Sequence, residues 1–141
     1  MDFLRLFRAL GDETRLRLVN LFVQSKEAIC VCEMTDAMLV PQYQISRHLT
    51  VLKNIGLMTT ERFGTWIYYS LDRNASPCTA DLMAVIEKHF KQKYGEDIKR
   101  LNDRLAKREA GRCVLGYALI EKEGSLSKQE KGKRNSSKFH G

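Results

Sequence analysis

Cys30-Val31-Cys32 sets two thiols one residue apart, with Glu33 directly behind them. Thiolates are soft ligands that select thiophilic ions over Mg²⁺ or Ca²⁺, and a place at a helix start favours the thiolate form. In a regular helix residues i and i+2 lie about 200° apart, so both sulfurs can reach one ion only if the first turn unwinds. Ligation and an intact helix would then compete. A third ligand can come from Cys113, which heads the apolar run Val114–Ile120, from Cys78, or from an outside thiol or water. Any of these cysteines can equally be a small hydrophobe in a core. Four cysteines in a chain of this size and cytosolic character do not read as a disulfide framework.

A second group of residues suits a different chemistry. Behind Pro41 stand Gln42, Tyr43, Gln44, Ser46 and Arg47. Gln pairs bidentately with adenine, Arg with guanine, and Ser with bases or phosphates. His48, beside Leu49, fits a phosphate contact or a hydrogen-bonded structural role. Lys53, Arg62 and the Phe63-Gly64-Thr65 tip can meet a nucleic-acid backbone or minor groove. For the two glutamines, ordinary helix-surface polarity is the competing reading.

The elements that must position these residues follow from hydrophobic period. Phe3, Leu4, Phe7 and Leu10 predict a helix over 2–10, ending near Gly11. Asp12 caps a second helix bearing Leu16, Val19 and Phe22. A third covers Cys30–Leu39, with Val31, Met34 and Met38 inward. A fourth opens at Pro41, carries Ile45, Leu49 and Leu52 inward, and stops at Gly56. The period then changes to two over Leu57–Arg62 and Trp66–Leu71, a β-hairpin. Ser76 and Pro77 start one last helix with a stripe from Leu82 to Leu105. A helix of about 30 residues would span about 45 Å, so part of that stripe, with the apolar side of residues 3–10, is expected to pack on a second copy.

The fold class is therefore mainly α with a small β-hairpin: a winged helix-turn-helix, homodimeric through its first and last helices. In that geometry the second helix of the pair enters the major groove of double-stranded DNA. The domain reading is 1–110 for DNA binding and dimerisation, 111–124 for an apolar segment docking on the body, and 125–141 for a disordered basic tail.

Charge supports the partition. The 141 residues carry a net +7, of which +3 lies in 1–110 and +4 in the last 31 residues. The Ser-, Lys- and Gln-rich tail has too little apolar surface to order itself; it either tracks DNA phosphates or only solubilises. An apolar fraction of 43% suits a packed core. The expected product is a soluble cytoplasmic protein, with no membrane span and no signal peptide.

Three blocks then carry a resemblance. Ala9-Leu10-Gly11-Asp12-Glu13-Thr14-Arg15-Leu16-Arg17-Leu18, Ile45–Leu57 and Arg62–Leu71 resemble, in order, the first helical block, recognition helix and wing of the ArsR/SmtB metal-responsive repressors. Pro41 departs from the Ser or similar cap usual there. Cys30-Val31-Cys32-Glu33 is similar to the Cys-Val-Cys-Asp motif of the arsenic-sensing branch. The resemblance implies a homodimeric repressor, needing no cofactor for DNA binding, that leaves its operator when As(III) or Sb(III) binds Cys30, Cys32 and a third ligand, with Cys113 the candidate. These metalloids prefer up to three sulfurs in a trigonal pyramid. Where that branch can carry a further cysteine, this chain has Thr35. The cadmium/lead type adds an N-terminal cysteine, and none precedes Cys30; the zinc type uses Asp and His on the last helix, and Asp81 lacks such a partner.

Rival readings stay in view. The same fold could sense oxidants or persulfides, pairing Cys30 or Cys32 with Cys78 or Cys113, since a direct Cys30–Cys32 bond would be strained; a Cd/Pb sensor is a third variant. A thiol oxidoreductase would want Cys-x-x-Cys beside a βαβ unit. An architectural DNA-binding protein would use every cysteine for packing. No nucleophile–base pair, phosphate-cradling glycine loop or carboxylate dyad points to an enzyme.

Overall fold

The fold is read from a computed structural model, which describes residues 2–113. The apolar run Val114–Ile120 and the basic tail 125–141 lie outside the described residues. Helices α1 (Phe3–Leu10), α2 (Glu13–Ser25), α3 (Val31–Met38) and α4 (Gln42–Asn54) come first, with a two-residue strand β1 (Ile29–Cys30) before α3. Strands β2 (Met58–Phe63) and β3 (Trp66–Leu71) follow, then α5 (Pro77–His89) and α6 (Gly95–Leu105).

Local chemistry explains most boundaries. The Asp12 carboxylate accepts the Arg15 backbone N–H at 3.0 Å and caps α2. Ser76 accepts from the Thr79 N–H at 3.1 Å, with Pro77 at the first helical position of α5. Pro41 occupies the cap position of α4 with its carbonyl, which accepts N–H bonds from Gln44 and Ile45 at 3.1 Å each. The hairpin closes on Gly64-Thr65, with Gly64 at φ 60°, the positive value a two-residue turn demands at its first position.

Around this frame α3 is the centre. All eight of its residues are buried, packed by α2, α4, α6 and the sheet. From α2 come Leu18, Val19, Leu21, Phe22 and Val23, and from α4 come Ile45, Leu49 and Leu52. Each such side chain contributes about 1.5–3 kcal/mol on burial. The polar residues of α3 are buried with partners. Thr35 Oγ1 donates to the Val31 carbonyl at 2.9 Å, Asp36 pairs with Arg104, and Glu33 pairs with Arg108.

Three features go beyond or against the sequence reading. First, the single last helix is two: the chain leaves helical geometry between Phe90 and Tyr94 and restarts at Gly95. Glycine is a poor helix former. Beyond it, Asp97 takes a two-bond ion pair from Arg17 at 2.8 and 2.9 Å and another bond from Arg100, turning α6 back across α2 and α3. The break keeps a spacing of three and four, through bonds from Tyr94 N–H to the Phe90 carbonyl and from Gly95 N–H to the Gln92 carbonyl, so the apolar stripe gave no sign of it. The argument for a partner from helix length therefore falls. Second, α1 turns Leu6 and Ala9 inward, whereas Phe3, Leu4 and Phe7 are 51%, 68% and 53% exposed. Third, the sheet has three strands in the order β1-β3-β2, all antiparallel, with Cys30 opposite Tyr68 and Phe63 opposite Trp66. Two residues are too few for an alternating pattern to reveal β1. Among the described residues no helix is long and apolar enough to cross a membrane.

Candidate metal centre and DNA-reading face

Cys30 is the cap residue of α3, not a member of it. Its backbone is extended (φ −91°, ψ 162°) because it belongs to β1, paired with Tyr68. The extended cap swings its side chain around to that of Cys32, and the two Sγ atoms lie 3.2 Å apart beside an intact helix. The expectation that the pair must face opposite sides, with the first turn unwound to join them, is thus corrected. It assumed a helical Cys30.

Cys113 completes the group within the same chain. Beyond α6, Glu109 and Arg112 exchange backbone hydrogen bonds of 2.9 and 3.0 Å around a tight turn, with Ala110 and Gly111 both at positive φ (53° and 75°). That hook returns the chain to β3, where the Cys113 N–H donates to the Tyr68 hydroxyl at 2.8 Å. Cys113 Sγ lies 3.5 Å from Cys32 Sγ, and the three sulfurs all fall within 4.8 Å of one another. All three residues are buried, whereas Cys78, at the start of α5, stands outside the cluster.

A metal–sulfur bond of about 2.3 Å sets ligated sulfurs roughly 3.5–3.8 Å apart. The Cys30–Cys32 and Cys32–Cys113 separations of 3.2 and 3.5 Å are close to that, so the donor set fits one soft centre. Burial does, however, reverse the expected thiolate character. It pushes the Cys30 thiol well up, helped by hydrogen bonds from Cys113 and Cys32. Cys32 is also raised, chiefly by its hydrogen bond with Cys113 and by burial. The cost of a bare charge out of water exceeds what the helix N-terminus returns.

Residues to which the sequence reading gave no role build the walls. The Cys30 N–H donates to Glu33 Oε1 at 3.1 Å. Glu33, fully buried, receives Arg108 through two bonds of 2.6 and 2.8 Å, and Arg108 also donates to the Ala28 carbonyl. Arg104 Nε meets Asp36 Oδ2 at 2.8 Å with its Nη2 4.0 Å from Cys113 Sγ. Glu33 three residues after a cap residue is a legible signal, the spacing of a capping box. The pairings across 68 and 75 positions are not.

The second group lies on α4 and the hairpin. Gln42, Tyr43, Arg47 and Lys53 are exposed, Gln44 and Ser46 partly so, and Gln44 Nε2 donates to the Tyr43 hydroxyl at 3.3 Å. Arg62 and Thr65 stand exposed at the hairpin tip. His48 is half-buried, with Nδ1 3.3 Å from Arg15 Nη1. An arginine can only donate, so Nδ1 accepts and the neutral ring carries its proton on Nε2. His48 thereby joins α4 to α2.

Helices α3 and α4, joined at Leu39-Val40-Pro41 and followed by the hairpin, make a helix-turn-helix with a wing. Residues 12–60 match the family model described as bacterial regulatory protein, arsR family. An arsenic resistance transcriptional regulator of Pseudomonas putida is 33% identical over 97 residues, covering 69% of this chain and 84% of that protein. The chain belongs to the ArsR family. A second arsenic resistance transcriptional regulator of P. putida is 43% identical over 65 residues, 46% of this chain. The matched part spans half the length of that protein. The arsenical resistance operon repressor of Escherichia coli is 42% identical over 74 residues, 50% of this chain and 62% of its own length. This ArsR-family chain is thus a DNA-binding transcriptional regulator with a buried cysteine cluster against its third helix.

Proposed function

We propose that the protein is a metalloid-responsive repressor. It binds operator DNA as a dimer through α4 and the wing, and is released when As(III) or Sb(III) takes the sulfurs of Cys30, Cys32 and Cys113. The observation that carries this reading is the convergence of three buried sulfurs within 4.8 Å. Arsenous acid exchanges its three hydroxyls for three thiols: three As–O bonds break, three As–S bonds form, the thiol protons leave in three waters, and no electrons transfer. The product carries no net charge, which suits a site closed to solvent. A divalent ion on three thiolates would leave one negative charge there, at a cost.

For DNA, Gln42, Tyr43, Gln44, Ser46 and Arg47 are assigned to base edges and nearby phosphates, and Lys53, Arg62 and Thr65 to the backbone or minor groove. His48 contacts phosphate through Nε2, the nitrogen that Arg15 leaves to it. The dimer is assigned to the exposed Phe3, Leu4 and Phe7 of α1 together with the last helices.

A second reading, a thiol-redox or persulfide sensor, is favoured by the 3.5 Å approach of Cys32 and Cys113. External hydrogen peroxide would take two electrons from the pair: its O–O bond breaks, the S–S bond forms, and the two thiol protons leave in two waters.

The test is fluorescence anisotropy of the reduced protein on its own upstream DNA, titrated with arsenite. Release near stoichiometric arsenite, lost in Cys30→Ser, Cys32→Ser and Cys113→Ser, supports the proposal. DNA binding that ignores arsenite but yields to peroxide replaces the inducer, and yielding to cadmium replaces it differently.

A further inference from the structure

Tyr68 lies where the cysteine cluster meets the wing. Its backbone pairs with Cys30, and its hydroxyl accepts the Cys113 N–H at 2.8 Å. One face of its ring carries the Arg108 guanidinium, 5.5 Å from the centroid. The ring also meets Phe63 edge to face at 5.6 Å. Phe63, the last residue of β2 before the tip, is covered in turn by the Arg112 guanidinium at 4.9 Å. Cys113, a sulfur donor, and Arg112, a wing contact, are therefore consecutive residues of one hook. What fixes one fixes the other.

Resting on the metalloid reading above, the geometry points to the wing as the element that carries the signal to DNA. Ligation of Cys113 clamps the hook onto Tyr68 and Phe63, so that the wing tip can no longer adjust to DNA. Tyr68 and Arg112 are positioning residues in this coupling; neither supplies a ligand. An unligated hook is held by non-covalent contacts alone, among them the Cys113 N–H bond to Tyr68, the approach of its thiol to Cys32 and Arg104, and the exposed Arg112–Phe63 cation–π contact. Such a hook can lift to let the wing follow DNA. A ligated hook cannot.

Trp66 is the only tryptophan of the chain and pairs with Phe63, so its emission reports on the wing without DNA present. The experiment compares full-length wild type with Tyr68→Phe and with Arg112→Ala, using arsenite as the probe. Three readings are taken: thiols protected from a thiol reagent, Trp66 emission, and the ratio of DNA dissociation constants with and without arsenite. Wild type is expected to protect three thiols, shift its emission, and lose DNA affinity by about 5- to 150-fold, the usual span of allosteric coupling. Both variants are expected to protect three thiols and bind DNA, with the emission shift gone and the ratio below about 3-fold. Variants that protect three thiols and release DNA as fully as wild type overturn the wing coupling and leave the sensor standing. Wild type that protects no thiols overturns both readings. Tyr68→Phe keeps the ring in place, and Arg112 is exposed, so one of the pair stays informative if the other fails to fold.

Discussion

The buried Asp36–Arg104 pair gives a quantitative test of how α6 is held against α3. Asp36 is fully buried and Arg104 is 4% exposed. Arg104→Met takes the arginine from the buried carboxylate, and losing one partner of a buried pair costs about 3–5 kcal/mol. Asp36→Asn leaves an amide oxygen that can still accept from Arg104, so it belongs at the lower end, about 2–3 kcal/mol. Against a total stability of about 5–15 kcal/mol for a domain, either change removes a large part. With a urea slope of about 1.5 kcal/mol/M, Arg104→Met lowers the unfolding midpoint by roughly 2–3 M. The double variant removes both charges together, so its cost falls short of the sum by about 1.5–3 kcal/mol. The assay is urea unfolding followed by far-UV circular dichroism, with the slope checked for constancy. Single variants that each cost under about 1 kcal/mol, or a strictly additive double variant, would refute the reasoning.

Other expectations are open to direct measurement. Asp12→Ala removes the cap of α2 and lowers stability by about 1 kcal/mol at neutral pH. The Arg15 N–H and the Arg15 charge hold the Asp12 carboxyl below its ordinary 3.8, so its contribution is complete above that pH. The gap between variant and wild type should therefore narrow as pH falls below 3.8, in urea midpoints across pH. Burial lowers the His48 value from 6.5, so its stabilisation is complete above pH 6.5 and declines as acid protonates the ring. His48→Gln should flatten that part of the pH profile, and an unchanged slope would count against burial of His48 as its cause. Phe7→Ser exposes no core, so sedimentation should show dissociation of the proposed dimer with helix content unchanged. Arg47→Ala should weaken operator binding by about 1–3 kcal/mol while leaving the urea midpoint where it was, since Arg47 is exposed.

Legibility differed by kind of interaction. The hairpin, the caps Asp12 and Ser76, and the inward set Ile45, Leu49 and Leu52 were readable because each depends on residues within a turn or two. The break before Gly95 was hidden, since its bonds preserve the spacing of the apolar stripe and its cause, the Arg17–Asp97 pair, spans 80 positions. On α1 the sequence reading already turned the apolar side of residues 3–10 away from the core, where Phe3, Leu4 and Phe7 stand, but it did not single out Leu6 and Ala9 as the buried face. Of the cluster, Cys30 and Cys32 announced themselves as a motif and Cys113 as a cysteine before an apolar run. The thiolate expectation failed because helix position is local information and burial is not.

By itself the sequence determined the order helix, turn, helix, wing, since hydrophobic period, caps and turn glycines act over short range. It also marked Cys30 and Cys32 as a soft-ligand pair and left the third ligand open among Cys113, Cys78 and an outside group. The tertiary structure decided that the sulfurs of Cys30, Cys32 and Cys113 meet. A two-residue strand pairs Cys30 with Tyr68 and holds it extended, so Cys32 can reach it from an intact helix. A tight turn beyond α6 brings Cys113 in from 81 positions away. Those contacts are long-range hydrogen bonds and ion pairs, and no local pattern encodes which partners they join.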